Sequence, residues 1–160
     1  MSEQAPRRRL AAILAADVVG YSRLMETDEA CTLATLKARR RDILQPLLAK
    51  HNGRIVKVMG DGILAEFASA VSAVQCAIDL QQGMTAVNAQ LPVECRIVLR
   101  VGINLGDVIV EDSDLYGDGV NIAARLEGIA EPGGILVSGS VYDQVKNKID
   151  TWFEDLGSVV

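Results

Sequence analysis

Two short apolar segments in the first half of the chain lie too close together for a helix to connect them. They cover residues 54–59 and 63–67, and only Gly60, Asp61 and Gly62 separate them. Parallel strands need a crossover of a dozen or more residues, whereas antiparallel strands can close with a tight turn. The sequence therefore predicts an antiparallel hairpin here.

The segments around this hairpin predict one α+β domain. Residues 10–19 form a nearly continuous apolar run, which is typical of a buried central strand. Thr27 or Asp28 could cap a helix that Pro46 bends or shortens, and Ser69 could open a second helix. The other predicted elements are strands at 96–103 and 108–110 that turn around 104–107, a helix at 120–129, a strand at 135–137, a short helix at 141–146 and a strand at 152–153. We expect an antiparallel sheet with helices packed on one face, formed by residues 9–160 after a flexible tail at 1–8.

Composition and charge limit the partners of the protein. Apolar residues make up 49% of the chain and charged residues 23%, as in a globular domain with a sizeable core. The net charge of −5 argues against a nucleic-acid partner. Residues 1–60 hold eleven basic and six acidic groups, whereas residues 61–160 hold five and fifteen. Such a split suits contact with a partner through oppositely charged faces, and a second copy of the chain is one such partner.

The cellular location follows from the cysteines and the apolar runs. Three cysteines are an odd number without metal-type spacing, which favours a reducing compartment. The run LAAILAA follows three arginines but is interrupted by Asp17, so it is better explained as a buried strand than as a signal peptide. No stretch has the length of a membrane span. We expect a cytoplasmic protein.

Two aspartates are expected to meet where predicted strands end. Asp17 ends the first apolar run, and Asp61 lies at the hairpin tip. Two carboxylates without a cation raise each other's pKa, whereas a divalent metal makes them a ligand pair. Asp-Gly is also a favoured turn, which alone could explain Asp61. Asp17 has no such explanation, because an acid after LAAILAA costs desolvation.

Two further groups have polar residues at spacings that suit a nucleotide. Gly20 stands in a strand-to-helix turn, where backbone N–H groups can approach an anion. Asn121 and Arg125 are four residues apart, so on a helix they share a face and could orient a sugar and neutralise a phosphate. Taken alone, the second group is more simply explained as a solvated helix face with a cap.

Four segments together resemble the catalytic domain of class III nucleotidyl cyclases. In chain order they are ILAADVVGYSRL, KVMGDGILAEF, RVGINLGDVIVED and DLYGDGVNIAARL. The resemblance extends over residues 10–157. It implies a ferredoxin-like core and a homodimer whose active sites lie at the subunit interface.

The resemblance also implies how metal and phosphate are bound. Asp17 and Asp61 match two metal-binding aspartates, and the backbone carbonyl of Val18 matches a further metal contact. Together they would hold two Mg²⁺ or Mn²⁺ ions. The loop around the phosphates is matched by Val18, Val19, Gly20 and Tyr21.

Lys57 and Asp114 match the positions that read the purine. Adenine presents a donor at its exocyclic amine and an acceptor at the neighbouring ring nitrogen. Ionised Asp114 can only accept and Lys57 can only donate, so the pair matches adenine. Guanine reverses both groups and would be mismatched. Asn121 and Arg125 match the pair that positions the ribose and stabilises the transition state.

The expected protein is therefore an adenylate cyclase, a phosphorus–oxygen lyase that makes cyclic AMP and pyrophosphate from ATP for signal transduction. A guanylate cyclase and an inactive cyclase-like module for dimerisation or nucleotide sensing are the alternatives. A phosphoacceptor receiver domain is disfavoured, because the hairpin leaves no room for a crossover helix. His51, the only histidine, is expected at the surface, and no side chain is a convincing general base.

One feature departs from the family pattern. Family members usually continue past the segment matched by Asp155-Leu156-Gly157 into a final strand, whose Lys touches the triphosphate. The last three residues of this chain include no Lys. We therefore expect either a domain truncated at its C-terminus or a family member that lacks this contact, and regulatory domains in the full-length protein.

Overall fold

The computed structural model describes residues 7–151 and 153–157. The strands are β1 (Arg7–Val18), β2 (Gly53–Met59), β3 (Gly62–Phe67), β4 (Leu99–Glu111), β5 (Asp114–Tyr116) and β6 (Ile135–Val137). The helices are α1 (Tyr21–Thr27), α2 (Glu29–Arg39), α3 (Gln45–Lys50), α4 (Ala70–Asn88), α5 (Asp118–Ile129) and α6 (Gly139–Val145). Within these described residues, no helix combines the length and apolarity that crossing a membrane requires.

The sheet has the strand order β2-β3-β1-β4-β5, and β6 runs parallel to β4 beside residues 101–103. β1 pairs antiparallel with β4 along its whole length, from Arg7 opposite Val110 to Val18 opposite Leu99. Although β2 and β5 stand at opposite ends of this order, they contact each other. The sheet is therefore curled, and side chains from its two edges can meet.

Each face of the sheet buries its own core, because side chains alternate along a strand. The first face holds Ala12, Leu14 and Ala16 of β1 against residues of α3, α4 and α6. The second face holds Ala11, Ile13 and Ala15 with Val108 of β4 and Ala123 of α5. The predicted α+β fold with an antiparallel sheet is confirmed. Its helices differ from the expected arrangement in one respect, since α5 covers the second face.

The predicted hairpin and helix starts are confirmed. β2 and β3 pair antiparallel around Gly60 and Asp61. The side chain of Asp28 accepts a hydrogen bond from the backbone N of Cys31 at 3.0 Å at the start of α2. Ser69 caps α4 in the same way through the backbone N of Ser72 at 3.1 Å. A π-helical turn (Arg40–Leu44) separates α2 from α3, and Pro46 lies in the first turn of α3.

The predicted turn at 104–107 is wrong, because β4 runs through it as one strand. Asn104 is buried, and its side chain donates a hydrogen bond to the carbonyl of Gly119 at 3.1 Å. A Cβ on Gly119, in the first turn of α5, would collide with the carbonyl oxygen of Asp107. Residues 104–107 therefore pack directly against the start of α5. The chain reverses instead at Asp112 and Ser113, whose φ angles of 50° and 71° suit a two-residue hairpin turn.

Two expectations about single residues also change. Trp152 lies outside the described residues, and Phe153 belongs to no strand; its ring packs edge-on against Tyr142 at 5.3 Å. His51 is half-buried, and its Nε2 lies 2.8 Å from the carboxylate of Asp79 on α4. This contact ties the end of α3 to α4.

Candidate active site

Asp17 and Asp61 meet at one end of the sheet. Asp17 lies near the end of β1, opposite Gly62 of β3 and opposite Arg100 of β4. The backbone N of Val18 donates a hydrogen bond to the carbonyl of Asp61 at 3.2 Å. The two acids predicted to form a pair are therefore held together by strand pairing.

Burial raises the pKa of Asp17, and the neighbouring Asp61 carboxylate raises it further. Contact with the Glu127 carboxyl and the charge of Arg100 act in the opposite direction. Burial, followed by contact with Asp17, raises the pKa of Glu127 to about 7. The carboxyl groups of Asp17, Asp61 and Glu127 thus influence one another, and the charge of Arg100 acts on Asp17 and Glu127.

Glu127 reaches the aspartates because α5 packs unusually close to β4. A Cβ on Gly102 would lie 2.6 Å from the carbonyl oxygen of Ala123, so only glycine allows this approach. The sequence analysis did not single out Glu127. A signal was available, since Val120, Ala123 and Glu127 follow the spacing of the buried helix face, where an acid is unusual.

Arg100 is the second site residue that the sequence analysis missed. Its Nε is buried without a hydrogen-bond partner in the described part of the chain. A buried donor without a partner is costly, so such groups need an explanation. Its position opposite Asp17 leaves this guanidinium available to an anion near the aspartates.

The aspartates fit a divalent cation. Asp17 Oδ1 is buried and, among the residues described, finds no hydrogen-bond partner, which suits an oxygen that ligates a metal. Residues 7–151 and 153–157 contain no group of three or more His, Cys, Asp or Glu placed to hold a metal. Mg²⁺ commonly takes only one or two carboxylates and completes its shell with water and substrate phosphates.

The loop after Asp17 has the predicted shape. Gly20 has a φ of 68° in the left-handed region, and the space around its Cβ position is open. Glycine is therefore favoured there by backbone conformation. The backbone N of Val19 donates to the carbonyl of Val98 at 2.9 Å, which anchors the loop to the chain before β4. Tyr21 begins α1 directly after this turn.

Lys57 and Asp114 form an ion pair across the curled sheet. Lys57 Nζ lies 3.0 Å from Asp114 Oδ1 and 3.3 Å from Oδ2. The same Nζ lies 5.1 Å from the centroid of the Tyr116 ring, within the range of a cation–π contact. Burial would raise the pKa of Asp114, but contacts with Lys57, the Leu115 backbone and Tyr116 outweigh it and lower the pKa.

Asn121 and Arg125 lie on α5 and are exposed. Within the described residues, no side-chain hydrogen bond or ion pair joins either of them to the aspartates or to Lys57 and Asp114. One chain therefore brings Asp17 together with Asp61, and Lys57 together with Asp114. It leaves Asn121 and Arg125 as a third group on the helix surface.

Comparisons with known proteins agree on one family. The family model described as "Adenylate and Guanylate cyclase catalytic domain" matches residues 3–159. The chain is 57% identical over 157 residues to "Putative adenylate cyclase 3" of Rhizobium meliloti (strain 1021), covering 98% of this chain and 27% of that protein. It is 34% identical over 143 residues to "Adenylate cyclase" of Streptomyces coelicolor, covering 89% of this chain and 36% of that protein. The chain thus spans about a quarter to a third of these two relatives.

Solved structures show the same similarity. The crystal structure of the adenylate/guanylate cyclase/hydrolase from Silicibacter pomeroyi superimposes with a TM-score of 0.86 at 49% identity, covering 94% of this chain and 88% of that one. The adenylyl cyclase CyaB from P. aeruginosa gives a TM-score of 0.78 at 25% identity, covering 91% and 84%.

Proposed function

The chain belongs to the adenylate and guanylate cyclase catalytic-domain family, and from this premise we propose that it converts ATP to cyclic AMP and pyrophosphate. The observation that carries the choice of ATP is the ion pair of Lys57 with Asp114, at 3.0 Å. Such a pair offers one group that only donates and one that only accepts hydrogen bonds. Adenine presents the complementary acceptor and donor on adjacent positions, whereas guanine presents them in reverse.

The ion pair also favours discrimination between the two bases. The Lys57 ammonium lies over the Tyr116 ring, and its contact with Asp114 lowers the pKa of that carboxyl. Asp114 therefore stays ionised near neutral pH and accepts hydrogen bonds. A base that offers the wrong edge leaves these groups unpaired, and such mismatches are costly in a desolvated site.

We assign the binding of two Mg²⁺ or Mn²⁺ ions to Asp17, Asp61 and the backbone carbonyl of Val18. The buried Oδ1 of Asp17, which has no hydrogen-bond partner in the described part of the chain, supports this assignment. When bound, divalent ions lower the pKa of an attacking hydroxyl and neutralise charge on a transferring phosphoryl group. Arg100, whose Nε also lacks a partner within the described residues, would contact the phosphate chain beside the aspartates. In the turn from Val18 to Tyr21, the backbone N–H groups of Gly20 and Tyr21 would approach the same phosphates, since those of Val18 and Val19 already donate to Asp61 and Val98.

The proposed enzyme works as a homodimer with shared sites. Asn121 and Arg125 are exposed on α5, and among the described residues no side-chain hydrogen bond or ion pair joins them to the aspartates of their own chain. A second copy of the chain can bring its Asn121 and Arg125 to the aspartates of the first copy. Twofold symmetry then creates two equivalent sites. In each site, the aspartates of one subunit bind metal and phosphate. Lys57 and Asp114 of the other subunit orient the base, while Asn121 and Arg125 of that subunit orient the ribose and neutralise the reacting phosphate.

The cellular setting and the role in signalling are part of the proposal. All three cysteines are free, with Cys31 and Cys95 exposed and Cys76 buried, which supports a reducing compartment such as the cytoplasm. Because the chain covers only part of its relatives, regulatory domains elsewhere in the full-length protein would control cyclic AMP output.

The test is product formation from each nucleotide. Purified protein with Mn²⁺ is given ATP or GTP, and cyclic AMP, cyclic GMP and pyrophosphate are quantified. Cyclic AMP from ATP at a higher kcat/KM than cyclic GMP from GTP is the expected result. Preferential cyclic GMP formation would identify a guanylate cyclase, and nucleotide binding without product would identify an inactive sensing module.

A double variant tests the base-reading pair directly. Lys57→Glu with Asp114→Cys replaces the donor by an acceptor and removes the fixed acceptor. We expect the ATP-to-GTP preference to fall by about tenfold or more, since this needs only a small difference in binding free energy. An unchanged ratio in a folded, active variant would reject Lys57 and Asp114 as the reading pair.

A further inference from the structure

A second polar contact, formed by Arg54, closes the two edges of the curled sheet beside Lys57 and Asp114. Arg54 of β2 donates from Nε to Glu66 Oε1 of β3 at 2.9 Å. Its two terminal nitrogens both lie 3.3 Å from the backbone carbonyl of Ser113 in the β4–β5 turn. A single guanidinium thus joins β2 and β3 to the hairpin that carries Asp114. We call this contact the seam.

A β-bulge places the seam and the ion pair on the same side of β2. The pairing of β2 with β3 shifts between Ile55 and Lys57. Residues three apart on a regular strand point to opposite faces, and a bulge changes that relation. Arg54 and Lys57 accordingly contact adjacent residues of the opposite edge, Ser113 and Asp114.

Glu66 anchors the Arg54 side chain. Its side chain is 8% exposed, and it lies between the guanidinium groups of Arg9 and Arg54. Burial would raise its pKa, but the contacts with Arg9 and then Arg54 outweigh burial and lower it. The carboxylate therefore stays charged and holds Arg54 in the orientation that reaches Ser113.

We propose that Arg54 is a positioning residue for purine selection, because its bridge from Glu66 to Ser113 holds Asp114 opposite Lys57. The proposal rests on the proposed function, in which Lys57 and Asp114 read the base. Lys57 is a long flexible side chain, and the short β5 strand has only three residues. Without the seam, β2 and β5 separate or slide, and Lys57 and Asp114 lose the spacing that matches adenine.

Arg9 provides a matched control. Its side chain is as exposed as that of Arg54, 44% in each case, and it pairs with the same Glu66 carboxylate. It lies on β1 and, in the described structure, makes no hydrogen bond to Ser113. Arg9→Ala therefore removes one partner of Glu66 and leaves the hydrogen bonds of Arg54 to Ser113 in place. Arg54→Ala removes one partner of Glu66 and also the hydrogen bonds to Ser113.

The primary measurement is base selectivity in binding, which needs no turnover. Affinities for fluorescent mant-ATP and mant-GTP are measured with Mn²⁺ for wild type, Arg54→Ala, Arg54→Lys and Arg9→Ala. We expect Arg54→Ala to reduce the ATP-to-GTP affinity ratio by about tenfold and Arg9→Ala to change it by less than about twofold. In Arg54→Lys, one ammonium cannot bridge Glu66 and Ser113 as the guanidinium does, so an intermediate ratio is expected. This variant also keeps the test open if Arg54→Ala fails to fold.

Two further readouts separate positioning from general destabilisation. Hydrogen exchange over residues 112–116 should be about tenfold faster in Arg54→Ala and unchanged in Arg9→Ala, as expected for loss of one anchor. In active protein, Arg54→Ala should raise KM for ATP more than it lowers kcat. Equal ratio changes in the Arg54 and Arg9 variants, or unchanged exchange at the hairpin, would overturn the proposal. If the wild type selects mant-ATP but makes no cyclic AMP, the proposed catalysis is rejected. The binding measurements on the Arg54 and Arg9 variants still decide whether the seam positions Asp114.

Discussion

The carboxyl group of Asp17, at the end of β1, and that of Glu127, on α5, contact each other and can share one proton. Sharing is favourable when no cation is present, because two buried negative charges repel. A divalent metal at Asp17 would compete with that proton. The protonation of Glu127 on α5 therefore depends on whether a cation is bound at Asp17.

The first prediction concerns pH and the stability of the metal-free protein. The pKa of Glu127 rises from 4.5 to about 7 on folding, so the folded state holds this proton more tightly than the unfolded state. The resulting stability is present below pH 4.5 and is lost as the pH rises towards about 7. Glu127→Gln should flatten this fall in Tm, as measured by thermal unfolding with a chelator. Glu154→Gln, at an exposed position, is the control; equal pH profiles for wild type and Glu127→Gln would contradict the prediction.

The second prediction concerns the two aspartates. Asp17→Ala and Asp61→Ala should each give a folded protein with negligible cyclase activity at saturating Mn²⁺, because the reaction depends on charge neutralisation and positioning. Removing one of two repelling carboxylates should leave the metal-free Tm unchanged or raise it. Activity assays and chelator-treated thermal unfolding measure both effects. Near-normal turnover in either variant would show that the metal assignment is wrong.

The third prediction concerns assembly across two subunits. Asp17→Ala and Asn121→Ala homodimers should both be nearly inactive, since each lacks one part of every shared site. In the mixed dimer, one site carries both defects and the other carries neither. Mixing the two should therefore restore up to about half of the wild-type activity per heterodimer. Recovery should decrease on dilution, as subunit association requires. Fully exchanged, folded heterodimers without recovery would exclude shared sites.

The fourth prediction concerns the close packing of α5 on β4. Gly102→Ala should lower the free energy of unfolding by about 1–3 kcal/mol, because its Cβ would collide with the backbone of α5. Gly128→Ala, at a position with open space on the same helix, should leave stability unchanged or raise it by about 1 kcal/mol. Denaturant unfolding of both variants gives the comparison. Similar stabilities would mean that α5 can shift without cost.

Local chemistry explains which parts of the fold were predictable from sequence. The tight connection through Gly60 and Asp61 allowed only one pairing of β2 with β3, and Asp28 and Ser69 are typical helix caps. The turn at 104–107 was mispredicted because asparagine and glycine also serve close packing. Only the tertiary structure distinguishes the two uses, through the hydrogen bond of Asn104 to Gly119 and the close approach of Gly119 to Asp107.

The candidate site was predictable where a strand end or a motif identified a residue. Asp17 interrupts an apolar run, so the desolvation cost of a buried carboxylate was evident from the sequence. Arg100 and Glu127 were missed because their relevance depends on the register of β4 against β1 and on the approach of α5. Neither the register nor that approach can be derived from spacing along the chain. The same holds for Arg54, whose carbonyl partner at Ser113 lies 59 residues away.

The placement of β1 in the sheet affects how the chain folds as it is synthesised. Among the strands of this domain β1 is made first, yet its partner β3 ends at Phe67 and its other partner β4 ends at Glu111. Until those segments emerge, the apolar residues 11–16 have no strand on either side. Contacts between such distant segments make folding slow, and an exposed apolar strand is prone to aggregation meanwhile. The strand that organises both cores is therefore also the one that waits longest for its partners during synthesis.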